Sequence, residues 1–404
     1  MELMKKQSTP RANAAEKQVR WASLFSQLLN LVDRGQFEQA VRRHKADART
    51  KGFSCWDQFV AMMFCQVGQA KSLREIEEGL ASCEGRLRHL GLIESPSRST
   101  LSYANKVRPA QVFEDMFYSM LSVCQAAAGK HSFRFKNRLL SLDSTVIELC
   151  ASMFDWSRYS RAKGAMKLHL LLDHNGCLPV YAHLGEGKGA DVKVAQQLFF
   201  PPGSIVVIDR GYTDYRLYEC WTEEKVGFVT RLKNNAEYFV MKTLEKNEDG
   251  LVRADQHIEF QAITAGRTIW QTYRLVEVWI EEKQQTLVLL TNLLHLSART
   301  IAAIYKQRWQ IELFFKALKQ NLRIKTFVGT SANAVHIQIW SALITILLLK
   351  YLTFKSKCSW ALSHLVALLR WNLFTYRDLW QWLERPFDTP AYPPPDTQLD
   401  LSFG

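Results

Sequence analysis

The chain has 404 residues, 47% of them hydrophobic, which is ample for a large core and for two to four domains. A net charge of +13 spread along the chain favours an extended polyanion over a single acidic ligand as partner, the other reading being charge that serves solubility. Eight cysteines without a CxxC pair exclude a disulfide or zinc framework and read as reduced core residues of a cytosolic protein.

Residues 1–20 are polar and basic, lack the apolar core of a signal peptide and read as a flexible arm. From Trp21 to about residue 130 the apolar spacing is helical, as in LFSQLLNLV and WDQFVAMMFCQV. Ser72, followed three residues later by Glu75, opens one helix like a capping box. After a break at Pro96, residues 98–108 read as a second, polar helix. Two helices and a turn are the outline of a helix-turn-helix, and equally of any helical bundle. On the first reading residues 21–130 are a DNA-binding domain, with Arg98, Asn105 and Lys106 as the types that read base edges and phosphates.

From Ser132 the texture becomes β. The run 139–147 is a strand with Asp143 in its middle; 166–172 and 177–183 follow, separated by an Asp173-His-Asn-Gly176 turn that also explains His169, Asp173 and His174 better than a metal site does. Residues 190–199 are helical. The apolar strand 204–209 ends on Asp209 and runs into Arg210-Gly-Tyr212; a helix at 214–224 and a strand at 226–231 complete the order. Three strands, helix, strand, helix, strand is the order of an RNase H-like α/β core. Residues 232–285 interrupt it as a β-rich insertion, so the core comprises 131–231 and 286–355. The apolar run 339–349 is about half of what a bilayer requires and reads as a buried helix, with no membrane segment. Residues 356–404 add helical segments and a Pro-rich tail.

The stretch 305–319, YKQRWQIELFFKALK, has no Gly or Pro and is predicted to be one helix. At about 100° per residue, Tyr305, Arg308, Glu312 and Lys319 share one side, with Lys316 near the same line. A carboxylate between basic groups suits a metal ligand flanked by phosphate clamps, and also an ordinary solvated face with ion pairs. The upstream acids decide between them. Asp143 is mid-strand, where a buried carboxylate is costly unless a cation compensates it, and Asp209 ends a strand that such a fold places next door. Three converging carboxylates would take up protons unless divalent metal is bound. Two such ions could activate a water or a 3′ hydroxyl against a phosphodiester. Arg210, Tyr212 and Lys316 are read as further DNA contacts.

Tyr305-x2-Arg308-x3-Glu312-x6-Lys319 resembles the Tyr-Arg-Glu-Lys signature of bacterial insertion-sequence transposases of the insertion-sequence-four family. Leu142-Asp143-Ser-Thr145 and Ile208-Asp209-Arg-Gly-Tyr212 resemble that family's first and second acidic motifs, and Leu290-Thr-Asn292 also fits. The resemblance, covering about Ser132 to Leu349, implies a DDE transposase with cut-and-paste activity. It implies Asp143, Asp209 and Glu312 as catalytic metal ligands for two Mg²⁺ ions, Mn²⁺ substituting. It also implies that Tyr305, Arg308 and Lys319 grip phosphates and a flipped base. The implied partners are double-stranded DNA, as terminal repeats and target, and a second copy of the chain. One departure stands out: relatives carry a stacking Trp before the Leu-Leu-Thr run, where this chain reads Thr286-Leu287-Val288. The aromatic wedge is therefore absent or supplied elsewhere, by Trp270 or Trp279, which otherwise read as cross-strand packing, or by no side chain at all.

Overall fold

The computed structural model describes residues 22–392 except 49, 51, 84–86, 150–163, 187–190, 245–249, 265–266 and 325. The basic arm, Cys150 and the end of the Pro-rich tail lie outside the described residues. The chain forms two compact units, one of Met1–Ala127 with Ala317–Gly404 and one of Ala128–Lys316.

The first unit begins with helices α1 (Leu24–Leu29), α2 (Arg34–Arg43), α3 (Cys55–Val67), α4 (Leu73–Ala81), α5 (Arg98–Val107) and α6 (Gln111–Ala127). Ser54 and Asp57 form a complete capping box on α3. The box expected at Ser72 is only half made, because Glu75 accepts from the Lys71 N–H instead. Four described cysteines, Cys55, Cys65, Cys83 and Cys124, are buried as expected, but Cys220 and Cys358 are exposed.

The second unit is built on one nine-stranded sheet, in the order β3-β2-β1-β4-β5-β9-β8-β7-β6. Its elements run β1 (Leu139–Leu149), β2 (Gly164–Asp173), β3 (Leu178–Glu186), a short α7 (Asp191–Ala195), β4 (Ile205–Ile208), α8 (Tyr215–Glu223) and β5 (Gly227–Arg231). Then come β6 (Tyr238–Thr243), β7 (Val252–Thr264), β8 (Arg267–Ile280), β9 (Gln285–Thr291) and α9 (Ala298–Gln307). β1, β4 and β5 are parallel neighbours, and the other pairings are antiparallel.

Side chains alternate across a strand, so each strand feeds two cores. Leu140, Leu142, Val206, Ile208 and Phe228 meet Tyr218 and Trp221 of α8 on one face. Leu139, Ile205, Val207 and Val229 meet Ile301, Ile304 and Tyr305 of α9 on the other. The segment expected as an inserted β domain supplies β6–β8, which extend this same sheet beyond β9. Buried Arg274 of β8 donates to both Asp255 oxygens at 2.7 Å and to the Leu294 and Leu296 carbonyls, tying the extension to the loop that leads into α9.

The stretch predicted as one helix over 305–319 is broken at Arg308. α9 ends at Gln307 and α10 (Trp309–Asn321) starts anew, its residues from Ala317 onward belonging to the first unit. The Arg308 N–H bonds back to the Tyr305 carbonyl and the Ile311 N–H to that of Arg308, a tightened i to i+3 turn at the junction. The remaining helices are α11 (Ala332–Lys355), α12 (Leu362–Asn372) and α13 (Leu379–Glu384). α11 has the length and hydropathy of a membrane span, but 83% of its most apolar window is buried in the protein. It is a core helix, packed by α3 and α6.

Candidate active site

Parallel pairing places two acids side by side. β1 and β4 pair through Leu142 and Ile208, so the next residues, Asp143 and Asp209, sit on neighbouring strands spaced ~4.8 Å apart. The two-residue alternation puts both on the face of Leu139, Ile205 and Val207, the face that α9 covers. β5 ends in step with them on Arg231. Its charge, with those of Arg308 and Asp209, acts on the phenol of Tyr305.

Asp143 has a side chain 20% exposed, and burial pushes its carboxyl up to about 6. The Ser144 N–H, which donates to Oδ1 at 2.8 Å, and the Arg308 guanidinium pull it down; Asp209 and Glu312 push it up further. Arg308 joins two of the acids: Nη2 donates to Glu312 Oε1 at 2.6 Å, and Nη1 lies 3.4 Å from Asp143 Oδ2. The break at Arg308 has a second effect. It leaves Glu312 in the first turn of α10.

Tyr305 is buried, and burial pushes its phenol up to about 12. Arg308 Cζ lies 5.7 Å from its ring centroid. Asn292 Oδ1 accepts from the Phe228 N–H at 2.9 Å and its Nδ2 donates to the Val226 carbonyl at 2.9 Å, so the Leu290-Thr-Asn292 motif is a clasp between β9 and β5. α9 then starts on its own cap, Ser297, whose side chain accepts from the Thr300 N–H.

Lys316 and Arg210 are exposed, and Lys319 lies two helical turns beyond Glu312 on α10. Two expected DNA contacts fail. Tyr212 is 1% exposed and packed in the α8-side core, so it cannot meet DNA; its phenol is raised by burial and by the charges of Asp191, Asp143 and Asp209. Asn105 is also 1% exposed; it accepts from Gln58 Nε2 at 2.8 Å inside the helical unit, while Arg98 and Lys106 of the same helix are exposed.

Two groups escaped the sequence reading. Arg231 closes a strand on a charge just as β4 closes on Asp209, which was the available signal. Asp191 accepts from Ser144 Oγ at 3.0 Å and from Lys167 Nζ at 2.7 Å, bracing the residue next to Asp143 from the opposite face. No local signal marked it, because its partners come from other strands.

Among the described residues no three His, Cys, Asp or Glu side chains stand close enough together to hold a metal ion. The donor chemistry nevertheless fits a hard divalent cation. The charges of Asp209 and Glu312 both act on the carboxyl of Asp143, and the positive charge shared by Asp143 and Glu312 comes from Arg308.

Asp143 within β1 and Asp209 directly after the parallel β4, faced by Arg308, Arg231 and the buried phenol of Tyr305, make a cluster of acids and cations whose chemistry suits work on a phosphodiester. Residues 134–348 match the family described as Transposase DDE domain, and the chain belongs to that family. Residues 21–93 match a second family, described as a domain of unknown function (DUF4372). The chain is 29% identical over 259 residues to a probable transposase for insertion sequence element IS5377 of Geobacillus stearothermophilus, covering 64% of this chain and 68% of the relative. It is 28% identical over 295 residues to the putative transposase y4zB of Sinorhizobium fredii, covering 72% and 81%. A putative transposase for insertion sequence element IS4SA of Synechocystis is 27% identical over 265 residues, covering 64% and 72%. The protein is a DDE transposase, and enzymes of this family use divalent metal ions.

Proposed function

We propose that this transposase cuts DNA at the ends of an insertion sequence and joins the freed 3′ ends to target DNA, on an RNase H-like core that β6–β8 extend. The observation that carries the reading is the side-by-side emergence of Asp143 and Asp209 from parallel strands, with Arg308 bringing Glu312 to the first of them. Asp143, Asp209 and Glu312 would hold the divalent ions, two Mg²⁺ with Mn²⁺ able to substitute. When bound, such ions stabilise negative charge on the attacking and leaving oxygens of the phosphodiester.

The chain's own residues do the rest. Arg308, Lys316, Lys319 and Arg210 neutralise and orient the phosphates, so that the hydroxyl of water or of a 3′ end lies in line with the bond to be broken. Tyr305 remains protonated at neutral pH, as its raised phenol requires, and can donate to a phosphate oxygen. Arg98 and Lys106, exposed on α5, serve end binding in the helical unit. Two DNA ends call for two copies of the chain, and a homodimer acting in the bacterial cytosol meets that need.

The test is a strand-transfer assay with the element's terminal repeats, purified protein and Mg²⁺. Joined products that disappear with Asp143→Asn, Asp209→Asn or Glu312→Gln are expected. Hydrolysis of DNA without any joining would reduce the protein to a nuclease.

A further inference from the structure

β4 and β5 are parallel neighbours, so the loops that follow them leave the sheet at the same edge. The first is the turn Arg210–Tyr212, directly after Asp209. The second is a tight turn in which the Ala236 N–H bonds to the Lys233 carbonyl, with Asn234 and Asn235 at its two central positions. Between them lies a cleft of about 440 Å³, lined by Arg210, Gly211, Lys233, Asn234 and Asn235. All four side chains that line it are exposed and can donate hydrogen bonds, and none is a carboxylate. Gly211 adds no Cβ there; the place one would take lies 3.9 Å from Asp191 Oδ2.

A cleft lined by two cations and two amides suits an anion that carries several acceptor oxygens. Its position narrows the choice. It lies one strand further along the sheet from the pair Asp143 and Asp209, a step of ~4.8 Å. Successive nucleotides of one DNA strand rise by about 3.4 Å.

We propose that the cleft formed by Arg210, Lys233, Asn234 and Asn235 binds the sugar-phosphate backbone of the strand being cut, one or two nucleotides from the scissile phosphate. The proposal rests on the DNA-cutting reading above and adds a subsite to it. Lys233 supplies charge, and the two amides supply donors that follow the phosphate oxygens without reading bases.

The test uses the full chain and end DNA in which single phosphates are replaced by neutral methylphosphonates. Wild-type protein is expected to bind about tenfold more weakly when the linkage one or two nucleotides from the cut is neutral. A Lys233→Ala/Asn234→Ala/Asn235→Ala protein, with an unchanged melting temperature, should bind unmodified DNA about tenfold more weakly and show a salt slope lower by about 1. It should no longer respond to the neutral linkage, and Lys233→Arg should behave as wild type. If the triple variant stays as sensitive to that linkage as the wild type, the cleft does not hold that phosphate and the proposal falls, while wild-type cutting still supports the wider reading. If wild-type protein neither binds nor cuts end DNA, both fall together.

Discussion

Arg308 donates to Glu312 at 2.6 Å from one turn earlier, while its other nitrogen lies 3.4 Å from Asp143 on a distant strand. The arginine therefore occupies the same two carboxylates that a divalent cation would need, and the two positive charges compete. Replacing Arg308 by alanine should tighten Mg²⁺ binding about tenfold, as read by calorimetry, because each carboxylate is freed. Cleavage should fall by about 100-fold or more, because the phosphate clamp is gone. Binding and activity moving in opposite directions is the signature; weaker Mg²⁺ binding in the variant would show that Arg308 organises the acids rather than competing for them.

Asp143 carries a cost of its own. Burial raises its carboxyl from the ordinary 3.8 to about 6, so between those values the folded state holds more protons than the unfolded one. Stability then falls as pH rises through that window, and the ionised group remains unfavourable above it. Asp143→Asn should thus stabilise the metal-free protein at pH 7.5 by up to about 3 kcal/mol, and the gain should shrink towards zero near pH 4. Melting curves in a chelator at the two pH values check this. A variant less stable than wild type at pH 7.5 would mean that the contact with Arg308 outweighs desolvation.

Asn105 and Lys106 are neighbours with opposite expected phenotypes. Asn105 accepts from Gln58, Gln58 Oε1 accepts from Arg108 at 3.3 Å, and the Asn105 and Arg108 carbonyls both accept from Asn333. Truncating Asn105 to alanine leaves a buried amide unpaired, at a cost of about 1–3 kcal/mol in chemical unfolding. Lys106→Ala should leave stability unchanged and weaken end binding by gel shift. An Asn105→Ala protein that melts normally but loses end recognition would restore the base-reading role.

What the sequence made legible follows from the range of the signals. Asp143 and Asp209 stand out in the sequence because each interrupts or ends an apolar strand, and the strand order makes those strands neighbours, as the pairing of β1 with β4 has them. Tyr305, Arg308 and Glu312 stand out by helical spacing, and they do lie together although the helix breaks between them. Nothing in QRWQI is a helix breaker, so the tightened turn at Arg308, the residue that also contacts Asp143 and Glu312, leaves no local signal. Asn105 was misread for the complementary reason: a polar residue on a helix looks solvent-facing unless its buried partner, here Gln58 from 47 residues earlier, is known. β6–β8 were recognised as strands, but their joining the core sheet is a pairing between distant segments, which local patterning does not encode.

The missing stacking aromatic leads to the last expectation. Trp279 is already engaged: Arg253 lies 4.0 Å over its ring, and its Nε1 donates to Glu281 at 2.6 Å. Leu287 offers no π-face. Trp309 does: it follows Arg308 directly, precedes Glu312 by three residues and is 52% exposed, with Leu313 one turn on at 41%. An exposed indole on the helix that carries the acid, beside cationic groups, is suited to stacking on an unpaired base, a contact worth about 1–3 kcal/mol. Trp309→Ala should therefore weaken binding to end DNA with an unpaired terminal nucleotide by about tenfold, and Trp309→Phe should keep most of the affinity. Fully paired DNA should be bound almost equally by all three proteins. Fluorescence anisotropy on the two substrates reads the difference. An equal loss on paired and unpaired DNA would make Trp309 a general packing contact, and no loss on either would leave the displaced base without an aromatic partner on this helix.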